Sequence, residues 1–414
     1  MSVEERRDYV DKIRIGLENH REELAQVISQ ELGAPIAFAR TGQVDLAITE
    51  ITATLEEIDN YVFEEVVDGA LVMKEPFGVV ACITPWNYPL NQIQRKITPA
   101  LLAGNTVVVK PASDTPLTAL KFAEIVDQAG LPKGVFNVIT GTGSEAGDYL
   151  ASHPDVQVIS FTGSTEVGRG LYSNASETIK KLVLELGGKS AMVFLDGGDL
   201  AYAVKRAMGT IIYNQGQTCS ALSRLLVPKS RLKEAEALIQ SYYQEKAVLG
   251  DPTDEETVVG PMVSEQQKER VLEYIQTGKN AGARILVGGQ LVDRKGFYVQ
   301  PTVFVDVDNQ MTIAQEEIFG PVLCVIGYDS VEQAIEIAND SPYGLSGAVV
   351  GPDDQAIKVA RAMRTGNVFV NRGPRSAKAP FGGYKQSGLG RENGVYGLED
   401  YLEIKAIFVE SSDK

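Results

Sequence analysis

The chain has 414 residues, 44% of them hydrophobic and 23% charged, with 40 glycines, 18 prolines and a formal net charge of −16. That length exceeds one compact core and predicts two or three domains of a soluble globular protein; the acidic balance excludes nucleic acid or an anionic membrane surface as the main partner. Three scattered cysteines without a CxxC pair exclude a disulfide scaffold and a thiolate zinc site, and no long apolar run is present, so the expectation is a cytoplasmic protein with no membrane span and no metal site.

The first residues include Glu4, Glu5 and Asp8 and lack an apolar core, unlike a signal peptide. Val10, Ile13 and Leu17, then Leu24, Val27, Ile28 and Leu32, recur at helical spacing, with Gly33 and Pro35 as the stop. Residues 61–81 read as a β-hairpin turning at Asp68-Gly69. A strand–helix alternation follows. Its strands are "GVVACITP", "NTVVVKP", "GVFNVIT" and "VQVISFTGS", and its helices cover 91–103, 115–130 and 144–152. Continuous apolar strands separated by amphipathic helices predict a parallel sheet covered on both faces. The pattern pauses near 185–199 and resumes from 201 to about 390 as a second α/β unit. The tail "YLEIKAIFV" alternates like an edge or exchanged strand.

Cys82 and Cys324 lie in apolar β-type runs, where a thiol behaves as a small hydrophobe. Cys219 is different: in "YNQGQTCSALSR" it stands among small polar residues, as a nucleophile would. The stretch "SALSRLL" predicts a helix beginning just after it, whose N-terminus would favour the thiolate. There is no GxSxG, and of the two histidines His20 lies in a charged helical stretch and His153 precedes a proline. A Ser-His or Cys-His relay and a His-rich metal site therefore lack support, which leaves a carboxylate as the expected general base. Two glycine turns, "GTGSEAG" (141–147) and "FTGSTEVG" (161–168), each follow a strand and open a helix. The first-turn amides of the second, with the Ser164 and Thr165 hydroxyls, suit a pyrophosphate, although neither turn has the GxGxxG spacing. "LELGGKS" imitates the end of a P-loop, but Val183 stands where that motif needs its first glycine.

"PWNYP" (85–89), "VVVKPAS" (107–113), "FTGSTEVG", "LELGGKS", "NQGQTCSA", "EEIFGPV" (316–322) and "PFGGYKQSGLGRE" (380–392) occur in this order. Together they resemble the NAD(P)-dependent aldehyde dehydrogenase superfamily over nearly the whole chain. The resemblance implies an α/β aldehyde dehydrogenase fold. A Rossmann-like cofactor domain would cover 1–56 and 78–186, and an α/β catalytic domain 187–390. A β-hairpin/C-terminal-strand oligomerisation element would cover 57–77 and 391–414. It implies that Cys219 attacks the aldehyde, that Asn87 and the Cys219 N–H hold the oxyanion, and that Glu185 activates the hydrolytic water. Taken without it, Asn87 reads as a turn residue and Glu185 as a solvent-facing strand position. For the cofactor it implies Trp86, Lys110, Ser113, Gly143, Gly147, Gly163, Ser164, Glu317 and Phe319. Ser113 replaces a glutamate that many NAD-preferring members carry, so NADP or NAD is expected, with NADP tolerated or preferred.

For the aldehyde the resemblance implies Asn91, Arg95, Tyr213 and Phe381, with Gln92 beside them, a polar set. Arg95 matches an arginine with which semialdehyde dehydrogenases hold a distal carboxylate; Tyr213 stands where their second arginine falls, with Arg372 or Arg375 as substitutes. The alternative is that Arg95 pairs with a neighbouring acid and supports structure. The expected partners are a small-molecule aldehyde, such as succinic semialdehyde, and copies of the chain in a homodimer or homotetramer. Family members usually begin several dozen residues earlier, so weakened assembly is also an expectation. The alternatives are a non-catalytic or assembly-impaired member of the fold, a thioester-forming enzyme that passes its acyl group to coenzyme A, and a dehydrogenase of apolar or aromatic aldehydes.

Overall fold

The apolar runs become two buried sheets. The computed structural model describes residues 1–409, so 410–414 of the expected 391–414 oligomerisation segment lie outside the described residues. In the first sheet, Lys181–Glu185, Val158–Thr162, Val79–Ile83, Thr106–Lys110 and Phe136–Val138 lie side by side and parallel, and Gly388–Leu389 adds an antiparallel edge to Lys181–Glu185. The second runs Arg284–Val287, Thr302–Val305, Val322–Tyr328, Arg224–Pro228, Ala191–Phe194, Ser346–Val350, Asn367–Val370, parallel except for the first pair.

Successive strand residues point to opposite faces, and each face has its own core. Val80 and Cys82 pack with Leu17, Leu24 and Ile97 of the helices on one side, while Ala81 and Ile83 pack with Leu150 and Leu171 on the other. Ala191 and Val193 against Met192 and Phe194 repeat this in the second sheet. Cys82 and Cys324 are fully buried members of these cores. Helix ends follow local chemistry: Ser164, Asp199, Ser264 and Ser330 cap N-termini, and Gly33 ends the helix Arg21–Leu32 in a left-handed conformation.

The hairpin Glu64–Val67 and Ala70–Pro76 turns through Asp68 and Gly69, both with positive φ, as a two-residue turn requires. Leu402–Phe408 pairs antiparallel with Ala70–Pro76, giving a three-stranded sheet whose Val66, Ile404 and Phe408 side chains are exposed. The helix expected after Cys219 is absent. Cys219 lies in a turn, residues 221–223 form no regular element, and Arg224 begins a central strand of the second sheet. The apolar residues after Arg224, "LLVP", are too few for their period to be read, and pairing on both edges decides in favour of a strand.

Arg224 starts that strand in full burial. Its guanidinium donates to the carbonyls of Lys189 (2.9 Å), Ile337 (2.8 Å) and Ala338 (2.9 Å) and to Asn309 Oδ1 (2.9 Å). It thereby ties a helix end to the turn that leads into Ala191–Phe194. Arg224→Met would keep the volume but orphan these buried acceptors, and a loss of roughly 3 kcal/mol or more is expected. Chemical denaturation followed by circular dichroism measures it; an unchanged midpoint would show that the carbonyls find other donors.

Candidate active site

The strand Lys181–Glu185 of the first sheet runs directly through Gly187 and Gly188 into Ala191–Phe194 of the second. A Cβ at Gly187 would collide with the Glu317 carboxylate, and one at Gly188 with the Cys219 carbonyl. Bare backbone therefore lets the cysteine turn and the 316–320 loop close on this crossing. The result is a cavity of about 190 Å³ lined by Trp86, Asn87, Gly163, Ser164, Cys219, Glu317 and Phe319, all expected from the sequence.

Cys219 is half-buried in the cavity wall. Asn87, in the turn before the helix Pro89–Ala103, directs its Nδ2 at the Gln217 carbonyl (3.0 Å), leaving one N–H for a ligand. Its own carbonyl accepts from Gln43 Nε2 (3.0 Å) and Asn214 Nδ2 (2.9 Å), so the turn is gripped from two elements. The backbone N–H of Cys219 meets no acceptor among the described residues. An amide hydrogen and a backbone N–H beside a thiol form an arrangement suited to nucleophilic attack on a carbonyl.

Charge in the site is governed by burial. Desolvation pushes the Cys219 thiol up to about 12, and Glu317 and Glu185 add to the shift. Glu185 ends its strand with both carboxyl oxygens buried and without a hydrogen-bond partner, 2.7 Å from where a Cβ on Gly382 would sit. Burial, then the nearby Glu392, holds its carboxyl well above the usual range. It is absent from the lining of the cavity itself. Burial raises Glu317 to about 7, against the opposing Gly188 N–H at 2.9 Å and the Lys189 and Arg270 charges.

Lys110, Ser113, Gly143 and Gly147 gather away from the thiol, at the ends of neighbouring strands of the first sheet. Lys110 is buried with no hydrogen bond or ion pair among the described residues, and burial lowers its pKa. A Cβ on Gly147 would lie 3.9 Å from the Lys110 side chain, and Gly143 has open space before it. Ser113 is exposed, with only a long contact to the Gly141 carbonyl. The Ser164 Oγ caps its own helix by accepting from the Val167 N–H at 3.3 Å, which leaves its O–H free to donate, and Thr165 donates to the Gln386 carbonyl. Anion binding at that N-terminus therefore draws on backbone amides together with the Ser164 O–H.

The residues expected around an aldehyde separate. Asn91 and Arg95 turn to Glu50: Asn91 donates at 2.9 Å, and Arg95 makes a two-pronged pair at 2.7 and 2.6 Å. Phe381 lies under the Arg95 guanidinium, while half-exposed Tyr213 stacks on Phe38. Gln92 is buried, and its Oε1 has no partner. Arg372 pairs with Asp199 at the surface.

Several participants carry no signal in the sequence. Gln267 and Arg270, on the helix Glu265–Asn280, donate to the carbonyls of Phe319 (2.8 Å) and Glu317 (3.1 Å) and fix that loop in the cavity wall. Lys96 joins Glu392 (2.8 Å) to Thr162 (2.7 Å) behind Glu185. Gln43 and Glu50 come from N-terminal helices with no motif of their own.

The sequence model of the aldehyde dehydrogenase family matches residues 1–407. A Staphylococcus aureus protein provisionally named an aldehyde dehydrogenase is 44% identical over 410 residues, 98% of this chain and 86% of its own. A mutant of aldehyde dehydrogenase C from Pseudomonas syringae, solved with NAD+ and octanal, is 46% identical with a TM-score of 0.97, covering 100% of this chain and 86% of that one. An NADP-dependent enzyme of E. coli is 38% identical with a TM-score of 0.95, covering 98% and 86%. No helix among the described residues is long and apolar enough to cross a membrane.

The thiol makes a direct prediction. A group that ionises near 12 supplies a thiolate fraction that rises about tenfold per pH unit below that value. Alkylation of Cys219 by iodoacetamide in the ligand-free protein should therefore climb without a plateau from pH 7 to pH 10. Peptide mapping separates Cys219 from the buried Cys82 and Cys324. A plateau near pH 8 would mean that the resting site stabilises the thiolate.

Proposed function

Because the chain belongs to the aldehyde dehydrogenase family and is an NAD(P)-dependent oxidoreductase of aldehydes, we propose that its chemistry runs through Cys219, Asn87 and Glu185. The observation that carries this is a single cavity joining the thiol, the Asn87 amide and Glu317 at the crossing of the two sheets. Cys219 loses its proton to solvent and attacks the aldehyde carbon as the thiolate, and the oxygen that becomes negative is held by Asn87 Nδ2 and the Cys219 N–H, a pair of donors each typically worth about 3 kcal/mol. When bound, the nicotinamide supplies the hydride acceptor, and the acyl group then remains on Cys219 as a thioester. Glu185 takes a proton from water, which attacks that thioester and releases the carboxylic acid. Its raised pKa makes it a stronger base once ionised, with Lys96 and Arg95 favouring the ionised form.

The residues present fit a dinucleotide. Lys110 has an ammonium without a partner for the adenosine ribose, and Gly143 and Gly147 leave space on the adenine side. First-turn amides after Ser164, beside Gly163, would hold the pyrophosphate. Glu317 would accept from the nicotinamide ribose, and Trp86 and Phe319, edge to face at 5.3 Å, would wall the pocket. With Ser113 in place of a carboxylate, both NAD and NADP are accepted; relatives of this chain include enzymes solved with NAD+ and one that is NADP-dependent.

The division into a cofactor part (1–56, 78–186), a catalytic part (187–390) and an oligomerisation element belongs to the same reading. Exposed apolar residues on the three-stranded sheet support assembly as a homodimer or homotetramer. Three unpaired cysteines fit a cytoplasmic location.

Two measurements test this. Glu185→Gln should release one fast equivalent of reduced cofactor and then turn over about 100-fold or more slowly, because acylation survives while hydrolysis does not. Cys219→Ala should give no burst; steady turnover by the glutamine variant at the wild-type rate would remove Glu185 from the role. Ser113→Glu should weaken NADP at least about tenfold against NAD, through repulsion of the 2′-phosphate. An unchanged cofactor ratio would place the discrimination elsewhere.

A further inference from the structure

The segment 316–320 carries Glu317 and Phe319 into the wall of the first cavity, and its backbone is strained. Phe319 has a φ of 58°, a left-handed conformation that a bulky residue adopts only when its surroundings impose it. Its ring meets Trp86 edge to face at 5.3 Å, so this angle helps to set the shape of the wall. The next residue is pinched. A Cβ on Gly320 would collide with the Val271 side chain, and the Gly320 carbonyl fills the space where a Cβ on Gly216 would stand.

The angle is imposed by one face of the helix Glu265–Asn280. Residues 267, 270, 271 and 274 recur at the three- and four-residue spacing that gathers side chains on one side of a helix. All four meet the segment. Gln267 Nε2 donates to the Phe319 carbonyl at 2.8 Å, Arg270 to the Glu317 carbonyl at 3.1 Å, and the Tyr274 hydroxyl to the Glu316 carboxylate at 2.7 Å. Val271 packs on Gly320. The helix is itself fixed: Val271 and Ile275 lie in a core of the second sheet, and Ser264 caps the N-terminus. Just before it, the Val263 N–H donates at 3.0 Å to Oε1 of Gln217, two residues from Cys219. Arg270 and Tyr274 hold residues ahead of the strained one. Gln267 alone holds Phe319 itself, as the single donor to that carbonyl among the described residues.

We infer that Gln267 is a positioning residue for the dinucleotide: it keeps Phe319 left-handed, and with it the Phe319 ring and the Glu317 carboxylate in register with each other. This rests on the reading of Glu317 and Phe319 as cofactor-binding residues. Without the Gln267 bond the strained angle loses its direct support, and Phe319 relaxes toward ordinary backbone space. Its ring then leaves Trp86, and only the molecules that still hold the strained form bind the cofactor at full strength. Tyr274, which does not line the cavity, acts on the same segment from outside it.

Trp86 is the only tryptophan in the chain, so its fluorescence reports the position of the Phe319 ring in the ligand-free protein. Gln267→Leu, similar in size but without a donor, should raise acrylamide quenching of Trp86 about twofold before any ligand is added. Calorimetric titration with NAD+ and NADP+ should then show binding about tenfold weaker, as the competent form is depleted. Tyr274→Phe should move both measurements in the same direction by a smaller amount, with every side chain of the cavity unaltered. Quenching that Gln267→Leu leaves unchanged overturns the inference, since weaker binding would then reflect direct contact between Gln267 and the cofactor. Altered quenching with undiminished affinity overturns it as well. Failure of the wild type to bind either dinucleotide would count against the cofactor reading of Glu317 and Phe319, while the ligand-free fluorescence still decides whether Gln267 holds the segment.

Discussion

The site depends on one steric constraint: two consecutive residues at the crossing between the sheets can have no side chain. Gly187 lies against the Glu317 carboxylate and the Tyr343 ring, and Gly188 against the Cys219 carbonyl. The Gly188 N–H also donates to Glu317 at 2.9 Å. Three segments distant in sequence thus register on one stretch of bare backbone. Any side chain there would separate the thiol from the group that faces it across the cavity, without touching either chemically. The glycines therefore set the catalytic spacing, which their likeness to a phosphate loop does not suggest.

Burial acts alike on every ionisable group near that crossing, and the partners decide the outcome. Glu185 and Glu50 are both buried carboxyls of the first half of the chain. Glu185 has no donor on either oxygen and is shifted well up. Glu50 has five donor contacts and is shifted down. A carboxyl whose hydrogen-bonding capacity is empty is available to a water molecule, and one whose capacity is full is a structural anchor. The two glutamates therefore have opposite uses although they are about equally hidden from solvent.

Much of this was legible in the sequence because it is local. Strands such as Val158–Thr162 read as apolar runs, the Asp68-Gly69 turn follows from the φ its hairpin needs, and Cys219 stands out by its neighbours. The failure at "SALSRLL" is one of period: a few apolar residues fit either element, and the sheet on both sides decides. The Glu50 cluster was illegible for a different reason. Its partners lie 45 and 325 positions away, and the helix that carries Glu50 has an ordinary amphipathic pattern in which a buried acid looks like a solvent-facing one. Arg95 could be picked out from its motif, but its counter-ion could not, and only the counter-ion reveals that its fork is already full.

The missing helix after Cys219 changes how reactivity is controlled. A thiol at a helix N-terminus would stay partly ionised at rest and remain open to oxidation whenever the site stood empty. In a turn without that dipole, surrounded by Glu317 and Glu185, the sulfur instead keeps its proton. The cation that opposes the shift is Arg95, whose charge Glu50 already answers. The raised thiol and the raised Glu185 are two expressions of one arrangement: burial beside other acids at the strand ends disfavours the charged form of both.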